Sequence, residues 1–386
     1  MHLGPNCPAR TTQVVLRLGC NMSSESFEND PVVKLAVDLI NVQSLSGFEQ
    51  HMADFLVSWL AEKGWIVERQ EVAAEQRCAG GMARHNIFAY RPKRPDREGG
   101  PRVLFNSHID TVPPYFPAEL SEEDGVSVVK GRGACDTKGI LAAQLTAVQS
   151  LVERGVEDIG ILYVVSEETD HSGMLKANEL GLDPEYLIVG EPTGSKMMRL
   201  QKGMLKLRIL MDGVACHSGY PHLGKSAIDC LVEALRALKN HCWPSSEELG
   251  ETTLNIGLVQ GGQAANALAE HAEATLMFRL TEAPEGVLET VRSMVEKEYE
   301  GTVEVISQNA PVSLEVLPGF ETDVAAYNTD IPYFKLKSGC AFLYGPGTIH
   351  DAHSMTEKIG VHEIKSAVEA YQKIARTCLG LPEACQ

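Results

Sequence analysis

The chain has 386 residues, of which 44% are hydrophobic and 22% are charged. This length exceeds what one compact core usually supports, and the composition is that of a globular protein, so two domains are expected. The net charge of −18 argues against a nucleic-acid partner, and no apolar run approaches the length of a membrane span.

Residues 1–26 form a predicted flexible leader. It contains Arg10 and Arg17 but no acidic residue before Glu25. We expect a cytoplasmic protein. A mitochondrial location is the alternative, because targeting peptides are also poor in acidic residues and contain arginine. The 10 cysteines include no CxxC pair, which favours reduced thiols.

Helices and strands alternate over the next part of the chain. Asp30-Pro31 has the chemistry of a helix start, with Asp as N-cap and Pro at the first helical position. Apolar spacing predicts helices over 31–43, 49–63 and after the loop 131–137, and strands over 65–72, 86–90, 102–106, 160–165 and 186–189. This alternation predicts an α/β domain whose mixed sheet is flanked by helices.

The pattern changes near residue 198. Leu205, Leu207 and Ile209 alternate with Lys206 and Arg208, which predicts a half-exposed strand. The following elements are a helix over 225–240, strands over 252–260 and 272–280, a helix over 284–299 and a strand over 302–308. This βαββαβ order predicts a ferredoxin-like domain, 198–309, inserted into a larger domain formed by 27–197 and 310–386. The larger domain resumes with a strand over 340–344 and a helix over 362–379.

Acidic residues and histidines recur where predicted strands end. Taken singly, each has an ordinary interpretation as a solvated loop, a turn or a surface hydrogen bond. Ligands of open α/β sheets collect at such strand ends, so these side chains are expected to converge. They are His108 and Asp110 after 102–106, Glu167 and Glu168 after 160–165, and Glu191 after 186–189.

Two further loops carry the same residue types. Asp136 precedes a predicted helix, where an N-cap is the alternative, and the preceding glycines lack the spacing of a nucleotide loop. His350 and His353 lie in a glycine-rich loop near the C-terminus. Histidine and carboxylate are common zinc ligands, and Asp110 would orient His108 by accepting its other ring proton. The set predicts a metal site.

Five separated motifs, SHIDTVP, GRGACDTKG, SEETD, GEPT and GPGTIHDAH, together resemble the di-zinc aminoacylase and carboxypeptidase family, which includes acetylornithine deacetylase and succinyl-diaminopimelate desuccinylase. The resemblance runs from about residue 30 to the C-terminal helix. It implies two zinc ions per subunit, with cobalt or manganese as substitutes. It also implies a homodimer, because the βαββαβ insertion resembles that family's lid or dimerisation domain.

The resemblance assigns roles to the metal-site residues. Asp136 would bridge the two ions, and Glu167 would be the general base. A cis peptide bond is implied between Asp136 and Thr137. We place the C-terminal ligand at His353, because Glu357 follows His353 by four residues. His350 is the alternative. The implied terminal ligands are His108, Glu168, Glu191 and His353.

The resemblance also assigns roles within the inserted domain. His217 matches a lid histidine that reaches the partner subunit's site and stabilises the oxyanion, against a strand-end hydrogen bond as the alternative. Asn266 and Arg279 match positions that hold the substrate carboxylate, a task suited to the planar guanidinium. A surface ion pair is the alternative for Arg279. Phe278 departs from the acidic residue often found before that arginine.

The resemblance implies a metal-dependent amidohydrolase that acts on a small N-acyl amino acid. GEPT and the segment 327–334 resemble the acetylornithine deacetylase branch, which implies acetylornithine as substrate and a place in arginine biosynthesis. A di-zinc dipeptidase or carboxypeptidase is the alternative, because the same chemistry cuts a peptide bond. A non-catalytic binding protein of the same fold is disfavoured, since Glu167 and the whole implied ligand set are present.

Overall fold

The computed structural model describes residues 29–73, 83–91 and 99–382, so the predicted leader lies outside the described residues. The helices are α1 (Pro31–Asn41), α2 (Gln50–Glu62), α3 (Gly139–Glu153), α4 (Ser172–Ala177), α5 (Ala227–Asn240), α6 (Pro284–Arg292) and α7 (Val361–Cys378). The strands are β1 (Ile66–Val72), β2 (Arg84–Tyr90), β3 (Val103–His108), β4 (Glu119–Glu123), β5 (Val126–Lys130), β6 (Ile159–Val164), β7 (Tyr186–Val189), β8 (Met197–Gln201), β9 (Gly203–Asp212), β10 (Ser245–Ser246), β11 (Gly250–Glu251), β12 (Thr253–Gly261), β13 (His271–Leu280), β14 (Thr302–Asn309), β15 (Val312–Ser313), β16 (Thr322–Ala325), β17 (Cys340–Leu343) and β18 (Lys358–Gly360). Within these ranges no helix is both long and apolar enough to cross a membrane.

A nine-stranded sheet organises the larger part of the fold. Its order is β1-β2-β6-β3-β7-β17-β8-β15, and β16 pairs with β8. The central strands β6, β3, β7 and β17 are parallel, whereas β1 and β2 on one side and β15 on the other pair antiparallel with their neighbours. The sheet is therefore mixed, as predicted, and its parallel strands end at one shared edge.

Hydrophobic side chains cover both faces of this sheet. Along β3, Val103 and Phe105 are buried in a core with α1, α2, α3 and α7, and Leu104 is buried in a second core with α4. Parallel strands with helices on both faces have continuous apolar sequences, as β6 and the first three residues of β3 do. Asp30 starts α1 as predicted, because its Oδ1 accepts a hydrogen bond from the backbone N–H of Val32 at 3.1 Å. The helix-flanked α/β fold is confirmed.

A four-stranded antiparallel sheet is inserted between β8 and β15. Its order is β12-β13-β9-β14, and β9 and β13 pair along their whole length, from Gly203↔Leu280 to Asp212↔His271. Leu207, Phe278 and the apolar sides of α5 and α6 form its own core. The succession β9, α5, β12, β13, α6, β14 confirms the ferredoxin-like insertion.

Some elements were not predicted. β4, β5 and β18 form a separate three-stranded sheet. β8 belongs to the nine-stranded sheet, although most of its residues fall in the segment 198–309 that we assigned to the inserted domain. The partners of β8 lie more than a hundred residues further along the chain, so a local pattern of five residues could not show which sheet it would join.

Candidate metal centre and substrate cavity

The shared edge of the parallel strands holds the predicted ligands. β3, β6, β7 and β17 each end there, and the loop that follows each strand carries polar side chains. After β6 the chain turns through the left-handed conformation of Ser166, where φ is 64°. Asp136 comes from a different place, the turn that precedes α3. The strand-end residues are His108 and Asp110 on β3 and its loop, Glu167 and Glu168 after β6, Glu191 after β7 and His353 after β17.

Two histidines face different oxygens of one carboxylate, that of Asp136. His108 Nε2 lies 2.9 Å from Asp136 Oδ1 and 3.9 Å from Glu191 Oε2. His353 Nε2 lies 3.3 Å from Asp136 Oδ2 and 3.0 Å from Glu168 Oε2. The five residues therefore form two groups that share Asp136.

Glu357 fixes the backbone around Asp136. Its Oε1 accepts hydrogen bonds from the backbone N–H groups of Cys135 and Asp136, each at 3.1 Å. Its Oε2 accepts one from Arg132 Nη1 at 2.5 Å, and both side chains of this ion pair are only 1% exposed. The peptide bond between Asp136 and Thr137 is cis, which confirms that prediction.

Asp110 orients more than the imidazole of His108. Its Oδ1 accepts a hydrogen bond from the backbone N–H of Glu167 at 3.1 Å, and its Oδ2 accepts one from that of Glu168 at 3.3 Å. Ser46 Oγ donates a third at 2.7 Å. His108 Nδ1 lies 3.0 Å from the Asp110 carbonyl oxygen and 3.5 Å from Oδ1, so this ring nitrogen is closer to the backbone oxygen than to the carboxylate.

Burial and hydrogen bonding control the charge of these groups. Burial raises the pKa of Glu167 to about 8 and that of Glu168 to about 7. Hydrogen bonds to Asp136 and Glu168 raise the pKa of His353 to about 10. Burial opposes the ionisation of Asp136, but hydrogen bonds to the two histidines lower its pKa below the usual range. The carboxylates are therefore arranged for a neighbouring positive charge.

The donor set fits divalent metal ions. Imidazole nitrogen and carboxylate oxygen are ligands of zinc and of similar ions, and metal binding requires the buried acids to be deprotonated. Ligand atoms of His108, Asp136 and Glu168 lie within 4.8 Å of one another. Burial also raises the pKa of Glu191 well above its usual range, a cost that a bound cation would offset.

His350 lies away from these ligands. Its side chain is exposed and lines a second cavity with Lys196 and Asp323. Tyr327 and Ile349 line both that cavity and the one at the metal ligands. The structure thus brings His353, and not His350, to Asp136.

A cavity of about 310 Å³ lies between the predicted metal ligands and the inserted sheet. β9 and β13 contribute Met204, Lys206, Met277 and Arg279 to its wall. Arg279 is one of the predicted substrate-binding residues, and burial lowers the pKa of its guanidinium. One face of the inserted sheet therefore lies across the cavity from the carboxylates Asp136, Glu167, Glu168 and Glu191 of the same chain.

His171 and Asp330 are buried beside Glu167, and neither was predicted from the sequence. His171 Nδ1 lies 2.9 Å from Asp330 Oδ1 and 4.0 Å from Glu167 Oε1, and its ring stacks on Tyr333 with centroids 4.0 Å apart. His171 also lines the cavity. The signals available were its position four residues after Glu167 and the acid within the segment 327–334.

His217 and Asn266 lie outside this cavity. The His217 side chain is exposed, and its Nδ1 accepts a hydrogen bond from the backbone N–H of Gly219 at 3.1 Å. The Asn266 carbonyl accepts one from the backbone N–H of Ser218 at 2.9 Å. Both residues lie beyond the end of β9 that is opposite Arg279, and this 10-residue strand is roughly 30 Å long. Phe278 is buried in the core of the inserted domain against Trp243.

This arrangement defines a metal-dependent hydrolase. Buried nitrogen and oxygen ligands adjoin a cavity that also contains Glu167, a carboxylate whose pKa is raised. The chain belongs to the M20 peptidase family. It is 35% identical to a peptidase M20 domain-containing protein of Schizosaccharomyces pombe over 89% of this chain and 84% of the relative. It is also 35% identical to a probable carboxypeptidase of Aspergillus niger over 95% of this chain and 94% of the relative. Residues 199–303 match the peptidase dimerisation domain.

Solved structures share the fold. An M20 family metallo-carboxypeptidase of Sulfolobus solfataricus superposes with a TM-score of 0.72 at 17% identity, covering 91% of this chain and 100% of that chain. A Bacillus subtilis protein described as a dinuclear metal binding peptidase of the M20 family superposes with a TM-score of 0.63 at 14% identity, covering 93% and 99%.

The comparisons confirm the predicted fold and the prediction of a metal-dependent hydrolase. They support the peptidase alternative better than acetylornithine deacetylation, because the similar proteins are named as carboxypeptidases and peptidases.

Proposed function

We propose that this protein is a di-metal peptidase that removes the C-terminal residue of a dipeptide or short peptide with a free carboxylate. One observation carries the proposal: two histidines, each with its own carboxylate neighbour, face the two oxygens of Asp136. A single ion would not need a second set of ligands around the same bridging group. The carboxypeptidase names of the relatives support the choice of bond.

The ligands divide between two ions. His108 and Glu191 would hold one ion and His353 and Glu168 the other, with Asp136 shared. Zinc is the proposed metal, with cobalt or manganese as substitutes. When bound, such ions polarise the scissile carbonyl and make water more acidic. Asp110 and Glu357 act through other groups, since they hold the ligand-bearing backbone in place.

Glu167 is the proposed general base. Its carboxyl is 12% exposed, lines the cavity, and has its backbone anchored by Asp110. A carboxylate of raised pKa can take a proton from the attacking water and return it to the leaving amine. His171 lies on one side of Glu167 and restricts where that carboxylate can move.

Arg279 is the proposed partner of the substrate's terminal carboxylate. Its guanidinium faces the cavity that contains Glu167. His217 and Asn266 lie too far along the same sheet to join it within one chain, so we assign them to the site of a second copy in a homodimer. The match of residues 199–303 to a dimerisation domain supports this assignment.

Mixing two variants tests the shared site. Glu167→Gln and His217→Ala subunits would each be inactive as homodimers. A heterodimer keeps one complete site, so random exchange should restore about one quarter of the wild-type activity. Full inactivity of the mixture, with exchange shown by mass spectrometry, would refute the role of His217 in the partner site.

Deacylation of N-acetylornithine is the second candidate function. The segment 327–334 resembles the acetylornithine deacetylase branch, and two of its residues, Tyr327 and Asn328, line the cavity. The discriminating experiment is a set of initial rates on dipeptides, N-acetylornithine and other acyl amino acids with zinc-loaded protein. Faster turnover of dipeptides is expected. Preference for an acyl amino acid would retain the chemistry and overturn the peptidase assignment.

A further inference from the structure

Two cations of the inserted sheet face the cavity side by side. Arg279 pairs with Met204 across β13 and β9, and Met277 pairs with Lys206. Arg279 and Lys206 are therefore diagonal neighbours on one sheet face, about 7–8 Å apart between their backbones. The residues between them, Leu205 and Phe278, point the other way into the core of the inserted domain.

Neither cation forms an ion pair with a carboxylate of the described residues. Within residues 29–73, 83–91 and 99–382, no ion pair or hydrogen bond joins the Lys206 or Arg279 side chain to another residue. Arg208, two residues along the same face of β9, differs: its guanidinium binds Glu304 at 2.6 and 2.9 Å. Arg208, outside the cavity, is thus neutralised, whereas the two cations inside the cavity have no ion-pair partner among the described residues.

The carboxylates that line the cavity do not neutralise Lys206 and Arg279. Asp136, Glu168 and Glu191 belong with the histidines and the metal ions, and Glu167 handles the proton. One terminal carboxylate, at Arg279, leaves the ammonium of Lys206 without a counter-charge. A neutral side chain packed against it would remove water from that charge without replacing the lost interaction.

We propose that Lys206 selects substrates whose C-terminal residue is acidic, binding the side-chain carboxylate while Arg279 binds the terminal carboxylate. This inference rests on the proposed function. The charge of Arg279 interacts with that of Glu167, so we assign the terminal carboxylate beside the scissile bond to Arg279. Lysine places a point charge on a flexible stem, which suits a side-chain carboxylate. Met204 and Met277 provide apolar contact for the methylene groups between the two.

Isosteric substrates test the proposal. Alanyl-glutamate and alanyl-glutamine differ in charge but hardly in shape. We expect kcat/KM to favour the glutamate peptide about tenfold, mostly through KM, since a charge-assisted contact contributes about that factor. Lys206→Gln should bring the ratio close to one, and Lys206→Glu should reverse it.

Arg208→Gln is the matched control. It removes a cation from the same strand and face, but from outside the cavity, so the ratio should stay at the wild-type value. Unchanged thermal unfolding of Lys206→Gln is also expected, because the Lys206 side chain makes no hydrogen bond to the described residues. Equal kcat/KM for the two peptides in the wild-type enzyme would overturn the inference while leaving the peptidase function intact.

Product binding decides the same question without turnover. Calorimetry on the zinc-loaded protein should show glutamate binding about tenfold more tightly than glutamine, with the difference lost in Lys206→Gln. If no peptide is cleaved but glutamate is still preferred through Lys206, the peptidase function fails and the recognition of an acidic residue stands. Equal affinities would refute that recognition.

Discussion

The two regions that meet at the cavity hold their polar groups in different ways. At the edge of the nine-stranded sheet, Glu357 and Asp110 bond to the backbone beside Asp136 and Glu167, and nearly all of these groups are buried. On the inserted sheet, Arg279 and Lys206 reach the same cavity without an ion-pair partner among the described residues. Groups that perform chemistry must be fixed before the substrate arrives, whereas groups that recognise a substrate must remain free to pair with it.

The largest effect on activity should come from the edge of the nine-stranded sheet, where the polar groups are held in place. Glu167→Gln removes the proton acceptor but keeps the shape of the side chain, so kcat should fall by about 10²- to 10⁴-fold. Metal content, measured by atomic emission, should stay at the wild-type level. Asp170→Asn makes the same chemical change on an exposed side chain three residues further on and should leave kcat unchanged. Activity in the Glu167→Gln variant would refute its role.

The bracing of Asp136 provides the next comparison. Glu357→Gln leaves Arg132 buried without its counter-charge, which should lower the free energy of unfolding by about 3 kcal/mol. Glu233→Gln breaks an exposed pair with Arg236 in the inserted domain and should lower the free energy of unfolding far less. Urea unfolding of the metal-free proteins measures both. Similar losses in the two variants would contradict the contrast between the regions.

Arg279→Lys tests the inserted sheet, whose cations have no ion-pair partner among the described residues. A lysine keeps the charge but loses the bidentate fork, so KM for a dipeptide should rise about tenfold while kcat changes less. Arg292→Lys, on α6 of the same domain and outside the cavity, is the control. A fall in kcat at constant KM would instead place Arg279 among the groups that act on the transition state.

The smallest effect on stability should come from the exposed cluster of Glu123, Lys130 and Lys358, which lies outside the inserted domain. Hydrogen bonds from Lys130 and Lys358 lower the pKa of Glu123 to about 2. A lowered folded-state pKa stabilises the protein above the unfolded pKa, and this contribution disappears as the pH falls from about 4.5 to about 2. Glu123→Gln should therefore lower the melting temperature slightly at pH 6, with the difference from wild type shrinking in that window. A pH-independent difference would contradict the assignment.

Much of the fold could be predicted because its signals are local. Asp30-Pro31 begins α1, the apolar run of β3 matches a strand covered on both faces, and the alternation of β9 matches a strand with one face in a core. β8 could not be assigned to its sheet, because its partners β15 and β16 are distant in sequence. β4, β5 and β18 were missed for a related reason, since β18 is three residues long and pairs with a strand more than 200 residues earlier.

Histidines and carboxylates that follow several apolar strands indicated a metal site from the sequence, and the family resemblance assigned the individual ligands and the general base. The tertiary structure places His353, which the resemblance favoured over His350, at Asp136, because the two histidines lie in one loop but face different directions. It also decided that His171 lies between Glu167 and Asp330, and that Lys206 shares a cavity with Arg279. These relations join residues that are far apart in the chain, and side-chain spacing within one segment cannot encode a distance to another segment.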